Sequence, residues 1–550
     1  MQTLLISPPF SQLNTPYASI PLLKGYLKTN GVSSSVFDLG IKTAQRLYSK
    51  QGLERLKENI VRKKIQGDAA EFFTINFEAY VNTIETVTSF LKGEDPEAKN
   101  IILSGKYLPV WKMSLSALDK NTANLSGTEY AQYLASLYLE DIFLFYRSIF
   151  PEYGFSSYAE KLALSPPVFD GIKSEILKKN DLMDKIIEEE LQKSGFEYFE
   201  IIAFTIPFPG MLIGALKAAN FIKMKDPDKI IVMGGGYINT ELRRLTDPGI
   251  FNFADFICLD DGELPLLKII EYAKGKTDKD QLVRTYCSED GKVKFYDNPG
   301  RPAQIKRGTP DYSDLDMSDY IPVFESVNPM MRLWSEKNTL KIRLAKGCYW
   351  HKCNFCDTSL PYISDYSPEK IDDIVDDIRK MTAQTKLTRF HFTDEAIPPA
   401  SAIRLALELL RQNIKISWWG NIRFDKAFTE DVCRLLKQSG FTAAVGGLES
   451  GCRRTLLSMN KGVSVEHAVS VIKNFKSAGI LVHVYMIYGF PTETTQDLID
   501  SAEVLRQLFE AGLIDSAFWH RFALTVHSPV FRDREQYNIS VPHPEPKPFA

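Results

Sequence analysis

The chain is predicted to fold as two α/β units in series: a doubly wound, largely parallel sheet carrying a helical insertion, then a partial (β/α)6 barrel. Three observations predict this. Apolar strand-like runs alternate with helical sequence at the start of the chain and again over about residues 199–274. Between about 41 and 195 that alternation gives way to helix-like sequence rich in Glu, Lys, Leu and Tyr. From Thr339 a second alternation begins, with six strand candidates each followed by helical sequence. Strands separated by helices imply parallel pairing through crossovers, and six such units fit an open barrel.

In order, residues 2–7 (QTLLIS) form an apolar strand, 21–29 a helix and 34–38 a second strand. The insertion follows. Residues 199–206 read as a buried parallel strand by length and composition, followed by a helix over 211–224. A strand over 229–236 ends in Gly234, Gly235 and Gly236, and a strand over 256–263 leads into a helix reaching about 274. This places the first unit at 1–297, and a proline- and charge-rich connector occupies 298–338. The barrel strands are expected at 339–345, 387–393, 415–422, 442–448, 481–488 and 516–525, in a second unit over 339–530. The tail, 531–550, ends in a proline-rich stretch over 541–550 that reads as a linker cut short.

Hydrophobic content of 44% and charged content of 25% are those of a globular protein. A net charge of -3 gives no basic footprint for nucleic acid. No signal peptide is visible, and the most apolar helical stretch, 133–150, is broken by Glu140, Asp141 and Arg147, so no membrane span is expected. Seven cysteines, three of them clustered, argue for metal binding in a reducing compartment, hence a cytoplasmic location.

Those three are Cys348, Cys353 and Cys356, in KGCYWHKCNFCD (residues 346–357). Three thiolates on one loop can converge on a metal, and three is one short of the closed shell that structural zinc sites and electron-transfer clusters use. A 4Fe–4S cluster held by three thiolates keeps one iron open to a substrate. The run follows a strand, so the metal would sit at a strand's C-terminal end, where barrel active sites lie. The alternative is a zinc knuckle with His351 as its fourth ligand. The other cysteines read as structural: Cys258 in a buried strand, Cys287 on a surface strand, Cys433 in an amphipathic helix and Cys452 at a helix start. His391 and His483 lie within strands and read as hydrogen-bonded barrel residues, whereas His520 and His527 are candidates to face a substrate cavity.

The loop resembles the cluster loop of radical S-adenosylmethionine (radical SAM) enzymes, although its first gap has four residues where C-x3-C-x2-C is commonest. Phe355, before the last cysteine, fits the family habit. Four further runs carry the resemblance: FTDEA (392–396), WWGNIR (418–423), GGLES (446–450) with LSMNKG (457–462), and YMIYGFPTET (485–494). The resemblance implies that Asp394 and Glu395 meet the ammonium of SAM and that Arg423 meets its carboxylate through a planar fork. It likewise places Glu449 near the ribose or amino acid portion, and implies a backbone edge for adenine at Gly489 and Pro491. For Asp394 and Glu395 the alternative is a helix N-terminal acid stabilised by the dipole.

The first unit resembles, over about 1–40 and 196–275, the cobalamin-binding domain fused ahead of many radical SAM domains. Ligands of such sheets bind past strand ends at a switch in strand order. That implies a cobalamin site at Pro9, Asn14, Thr205, Gly234, Gly235, Gly236, Tyr237 and Glu263; the Gly triplet alone reads equally as a tight strand-to-helix turn. All seven histidines lie at or beyond His351, so a D-x-H-x-x-G ligand loop is missing from the first unit. The resemblance implies a cobalamin-dependent radical SAM enzyme, foremost a methyltransferase moving a methyl group from methylcobalamin to an unactivated carbon by way of a 5′-deoxyadenosyl radical. A non-methylating rearrangement or cyclisation, and a catalytically silent cobalamin sensor, are the alternatives. Methylthio transfer is disfavoured, because no cysteine precedes Cys258 to hold a second cluster. The implied partners are a small-molecule or peptide substrate and a reductant such as flavodoxin or ferredoxin.

Overall fold

The computed structural model of the chain describes residues 1–112, 115, 125–151, 153, 168–178, 182–298, 307–324, 326–542 and 549. Parts of the expected insertion (113–114, 116–124, 152, 154–167 and 179–181), of the connector (299–306 and 325) and of the tail (543–548 and 550) thus lie outside the described residues. The chain divides into two compact units: Met1–Val327 with Ser335–Lys337 and Glu545–Ala550, and Asn328–Trp334 with Asn338–Pro544.

In the first unit, β1 (Thr3–Ser7) is buried along its whole length, as a central parallel strand must be. After α1 (Ser19–Thr29) and β2 (Ser34–Asp38), Asp38 caps α2 (Leu39–Leu47) by accepting from the Ile41 N–H at 3.1 Å. The insertion then contributes α3 (Lys50–Lys63), α4 (Asp68–Ile75), α5 (Phe77–Lys92), α6 (Ala98–Leu103), α7 (Gly127–Ile149), α8 (Phe169–Leu177) and α9 (Met183–Lys193). A capping box between Ser126 and Glu129 starts α7. Aromatic rings hold these helices together: Tyr80 packs 5.3 Å from Tyr138, and Phe73 lies 5.2 Å from Phe145. The same apolar core runs on beneath the sheet, so the insertion is continuous with this unit.

The α/β pattern resumes with β3 (Ile201–Thr205), α10 (Leu212–Lys225), β4 (Ile230–Gly234), α11 (Gly236–Glu241), β5 (Phe256–Cys258) and α12 (Glu263–Ala273). The strand order is β2-β1-β3-β4-β5, all parallel, extended by the antiparallel β6 (Thr285–Glu289) and β7 (Lys292–Tyr296). Asp290 and Gly291 join the last two with φ of 49° and 72°, the paired left-handed geometry of a type I′ hairpin turn. Cys287, expected on a surface strand, is buried against the core on β6. The order reverses at β1, so the sheet's switch point lies past the ends of β1 and β3.

The connector is more than a tether. Asp311, Asp314 and Asp319 pair with Lys28, Lys24 and Lys42 at 2.7, 2.7 and 2.6 Å, and Tyr320 donates to the buried Asp38 at 2.8 Å. These bonds lay residues 311–320 along α1, β2 and α2, and the first unit extends to Val327 rather than 297.

The second unit begins with α13 (Met331–Trp334) and β8 (Thr339–Ile342), followed by the short pair β9 (Ala345–Lys346) and β10 (Ser367–Pro368) and by α14 (Pro361–Ser364) between them. Then come α15 (Ile371–Thr385), β11 (Arg389–Phe392), α16 (Pro399–Arg411), β12 (Ser417–Ile422), α17 (Glu430–Gln438), β13 (Phe441–Glu449), α18 (Arg453–Ser458), α19 (Val465–Ser477), β14 (Leu481–Tyr488), α20 (Thr495–Glu510), β15 (Ser516–Arg521) and α21 (Pro529–Arg532). The six main strands form one parallel sheet in the order β8-β11-β12-β13-β14-β15. That order never reverses, so right-handed crossovers place the long helices on one face. Trp418 and Phe390 are buried beneath the helices, while the alternating positions Lys341, His391, Trp419 and Ala443 stand in register on the other face.

Candidate active site

The three clustered thiols lie on the loop that leaves β8. At its base the Leu344 and Ala345 N–H groups donate to the Asp394 carboxylate at 2.8–3.0 Å. Gly347 follows with φ of 68°, and a Cβ there would lie 2.9 Å from the Asp365 carbonyl oxygen, so only glycine fits. The Cys348 N–H donates to the Ile363 carbonyl at 2.9 Å and the Cys356 N–H to the Cys353 carbonyl at 3.3 Å. Cys353 is buried, and Cys348 and Cys356 are half-buried. A hydrogen bond from Cys356 pulls the Cys353 thiol down to about 7, helped by the charges of Lys461 and Arg423, while the same bond pushes Cys356 up.

The end of α18 and the residues just past it clamp this loop. Residues 458–460 accept from the Asn354 N–H (Met459 carbonyl, 2.9 Å), the Asn354 side chain (Ser458 carbonyl, 2.8 Å) and Trp350 Nε1 (Asn460 carbonyl, 3.1 Å). Asn460 in turn donates to the Lys352 carbonyl at 2.7 Å. Lys461, to which the sequence reading gave no role, is buried and pairs with Glu449 at 2.6 Å. Burial alone would lower its pKa, but the Glu449 carboxylate and the Cys353 thiol together outweigh that and the net shift is upward, so the ammonium stays charged. Glu449 itself sits at φ of 68°, beside a register shift between β13 and β14. A left-handed non-glycine residue costs of order 1–3 kcal/mol, and such irregularities re-aim side chains beside active sites.

Arg423, at the end of β12, is 4% exposed, so its charge is held by protein. It donates to the Lys461 carbonyl at 2.9 Å, lies 3.6 Å from Asp425 and packs 4.4 Å from the centre of the Trp350 ring. Phe355 is half-buried against Met459, Ile487, Phe490 and Val530.

The acidic pair divides. Asp394 is 2% exposed and spends its carboxylate on the loop base, which corrects its expected role toward the ammonium of SAM. Glu395 is exposed, yet surrounding protein and the Asp357 charge raise its carboxyl pKa. Gly489 adopts φ of 80°, and its N–H is taken by Glu493 at 2.6 Å, leaving the carbonyl side of that backbone edge.

Deeper on the helix-free face, His391 stacks on Trp419 with ring centres 3.8 Å apart. His483 is fully buried, bonds Ser516 at 2.6 Å through Nδ1 and meets Trp334 and Tyr485 edge-on. The expectation of bonded, structural imidazoles holds for His483. His520 is exposed on β15, 5.1 Å from the Tyr485 ring. Burial lowers the His391 pKa to about 3 and that of His483 to about 4, and it also lowers that of His520. A depressed folded-state value stabilises the fold above the unfolded value, and this contribution is lost as pH falls. From His483 alone the unit is expected to lose about 2 kcal/mol between pH 7.5 and 5. Thermal denaturation of His483→Gln should show a shallower loss over that range; an unchanged slope would mean that His483 is not the group responsible.

In the first unit, the residues expected at a cobalamin site separate into two sets. Asn14, Thr205, Gly234, Gly236 and Glu263 lie on a loop, at strand ends or at helix starts along the sheet's C-terminal edge; Thr205 Oγ1 bonds Ser19 at 2.8 Å, and Gly236 is exposed. Pro9 is buried, and a Cβ on Gly214 would meet its carbonyl at 2.5 Å. Tyr237 is 1% exposed in the apolar core, so its expected part in a ligand site is corrected to packing. Gly235 has φ of 115° and a Cβ there would lie 2.7 Å from Ile206 backbone, while one on Gly236 would lie 2.8 Å from the Pro207 carbonyl. The tight turn thus accounts for Gly235, while Gly236 is both part of that turn and exposed.

Residues 342–505 match the model of the Radical SAM superfamily. The second unit carries a radical SAM domain. That superfamily uses a 4Fe–4S cluster and SAM, and the donor set fits: three soft thiolates on one loop, one with a pKa near neutrality, beside two buried cations. Among the described residues no three His, Cys, Asp or Glu side chains converge on a single ion; a cubane does not require this, since each thiolate meets its own iron. An uncharacterized methyltransferase of Pyrococcus horikoshii is 23% identical over 301 residues, 54% of this chain and 61% of that protein. The cytidylyl-2-hydroxyethylphosphonate methyltransferase of Streptomyces wedmorensis is 24% identical over 55% of this chain and 60% of its own length. The matches therefore span about three fifths of these curated relatives. Around the radical SAM domain the fold is similar to that of TsrM, a radical SAM methyltransferase from Kitasatospora setae solved with cobalamin and a 4Fe–4S cluster: TM-score 0.54, 13% identity, 97% of this chain and 78% of that one. Among the described residues no helix is long and apolar enough to cross a membrane.

Proposed function

We propose that the chain is a cobalamin-dependent radical SAM methyltransferase that acts on an unactivated carbon. The observation that carries this reading is the three-thiol loop, fastened at the end of β8 beside the buried Arg423 and Lys461. The cobalamin part is supported by the doubly wound first unit, whose switch point presents Asn14 and Thr205, and by the fold likeness that runs through both units.

Cys348, Cys353 and Cys356 would hold the cluster, with Lys461 and Arg423 balancing its negative charge. Glu395 would take the SAM ammonium, Arg423 the carboxylate and Gly489 the adenine edge, with Glu449 held in place by Lys461. Asn14, Thr205, Gly234, Gly236 and Glu263 would contact the corrin through backbone and short side chains. Bound there, the cofactors supply a hydrogen-abstracting radical from SAM and a transferable methyl group from cobalamin. The protein's share is to align them and keep water away. Neutral imidazoles and aromatic rings at His391, Trp419, Tyr485 and His520 support a small-molecule or peptide substrate with a flat, weakly charged surface. A flavodoxin- or ferredoxin-type protein would be the reductant.

The test is anaerobic reconstitution followed by incubation with SAM, methylcobalamin and reductant. The reading expects binding of cobalamin and a cluster by one chain. Failure of the intact protein to bind cobalamin would remove the cobalamin half of it. A finer result follows from the histidine positions, since the first unit has none. Electron paramagnetic resonance of the bound cob(II)alamin is expected to show no nitrogen splitting from an axial base; a clear nitrogen triplet would show that an imidazole or the cofactor's own base is coordinated.

A further inference from the structure

The cysteine run has one residue more in its first gap than the commonest spacing, and the structure shows what fills that gap. Tyr349 and Trp350 both reach the residues just past β12. The Tyr349 hydroxyl donates to Asp425, and Asp425 lies 3.6 Å from Arg423 Nε. The Trp350 ring covers the guanidinium face at 4.4 Å and is itself pinned, with Nε1 donating to the Asn460 carbonyl at 3.1 Å. Behind it Gly462 has φ of 73°, and a Cβ there would lie 2.1 Å from the indole, so the ring occupies that place only because residue 462 is glycine. Arg423 is thus held by Trp350 of the cluster loop, by Asp425, which Tyr349 of that loop bonds, and by the carbonyl of Lys461, next to the loop-bonded Asn460.

We propose that Trp350 is a positioning residue for Arg423: the lengthened first gap couples the cluster loop to the group that receives the SAM carboxylate. This rests on the radical SAM reading and on the assignment of Arg423 within it. Loop and guanidinium then move together, and a guanidinium without its indole loses the face that fixes its plane.

The experiment is a double-mutant cycle on the reconstituted protein, reading iron content and SAM affinity by calorimetry for Trp350→Phe, Trp350→Ala, Arg423→Ala and the double Ala variant. Trp350→Ala is expected to keep its iron and to bind SAM about tenfold more weakly, and Trp350→Phe, which keeps a ring face, to remain near wild type. The double variant is expected to bind no more weakly than Arg423→Ala alone, because the indole acts through the guanidinium. Independent, multiplying losses would overturn the proposal, as would an unchanged affinity in Trp350→Ala alongside a weakened Arg423→Ala. Loss of iron in Trp350→Ala and Trp350→Phe alike would assign the indole to loop folding instead. No effect in Arg423→Ala would instead overturn the Arg423 assignment itself.

Discussion

Replacing Cys348, Cys353 and Cys356 together by Ala is expected to abolish cluster binding and SAM cleavage outright. Wild-type protein reconstituted without oxygen should carry about four irons, the number intrinsic to the cluster, and absorb as an iron–sulfur protein; the triple variant should do neither. The fold should survive, because the loop is held by backbone bonds to Ile363, Met459 and Asp394 that the substitutions leave intact. A triple variant that still bound the cluster would show that the ligands lie elsewhere.

The second largest effect is expected at Arg423. Removing a charged, bidentate contact in a partly dry site costs about 1.5–3 kcal/mol, so Arg423→Ala should weaken SAM binding roughly ten- to a hundredfold while the cluster spectrum persists. Arg423→Lys should not rescue it fully, since an ammonium cannot reproduce the planar fork or its stacking on Trp350. SAM affinity unchanged in Arg423→Ala would remove that residue from the site.

Much of this architecture is legible in the sequence because strand-forming runs and helix periods reinforce each other. The six strands of the second unit's parallel sheet fall where apolar alternation puts them, within a few residues, and the cysteine loop announces itself by spacing. What the sequence hides is set by long-range geometry. Asp394 and Glu395 read as one acidic pair, but only Asp394 is buried, with its carboxylate spent on the loop base, while Glu395 is exposed. Lys461 stands in the LSMNKG run, yet its burial beside Glu449 arises only when the residues after α18 fold back onto the end of β13. Gly235 looks like part of a ligand cradle until the Ile206 backbone closes against it. The hairpin of β6 and β7 did leave a local signal, Asp290 before Gly291, which turn chemistry alone would have found. The connector's aspartates found their lysines on α1 and α2 across hundreds of residues, and no local pattern foretells that.

The central claim is that the second unit uses its cluster to cleave SAM reductively, and the most direct test is the appearance of 5′-deoxyadenosine. Reconstituted protein, reduced under anaerobic conditions and supplied with SAM, is expected to form 5′-deoxyadenosine together with methionine, and the triple cysteine variant to form neither. A cluster-loaded, fully reduced protein that binds SAM yet makes no more 5′-deoxyadenosine than that variant would contradict the account.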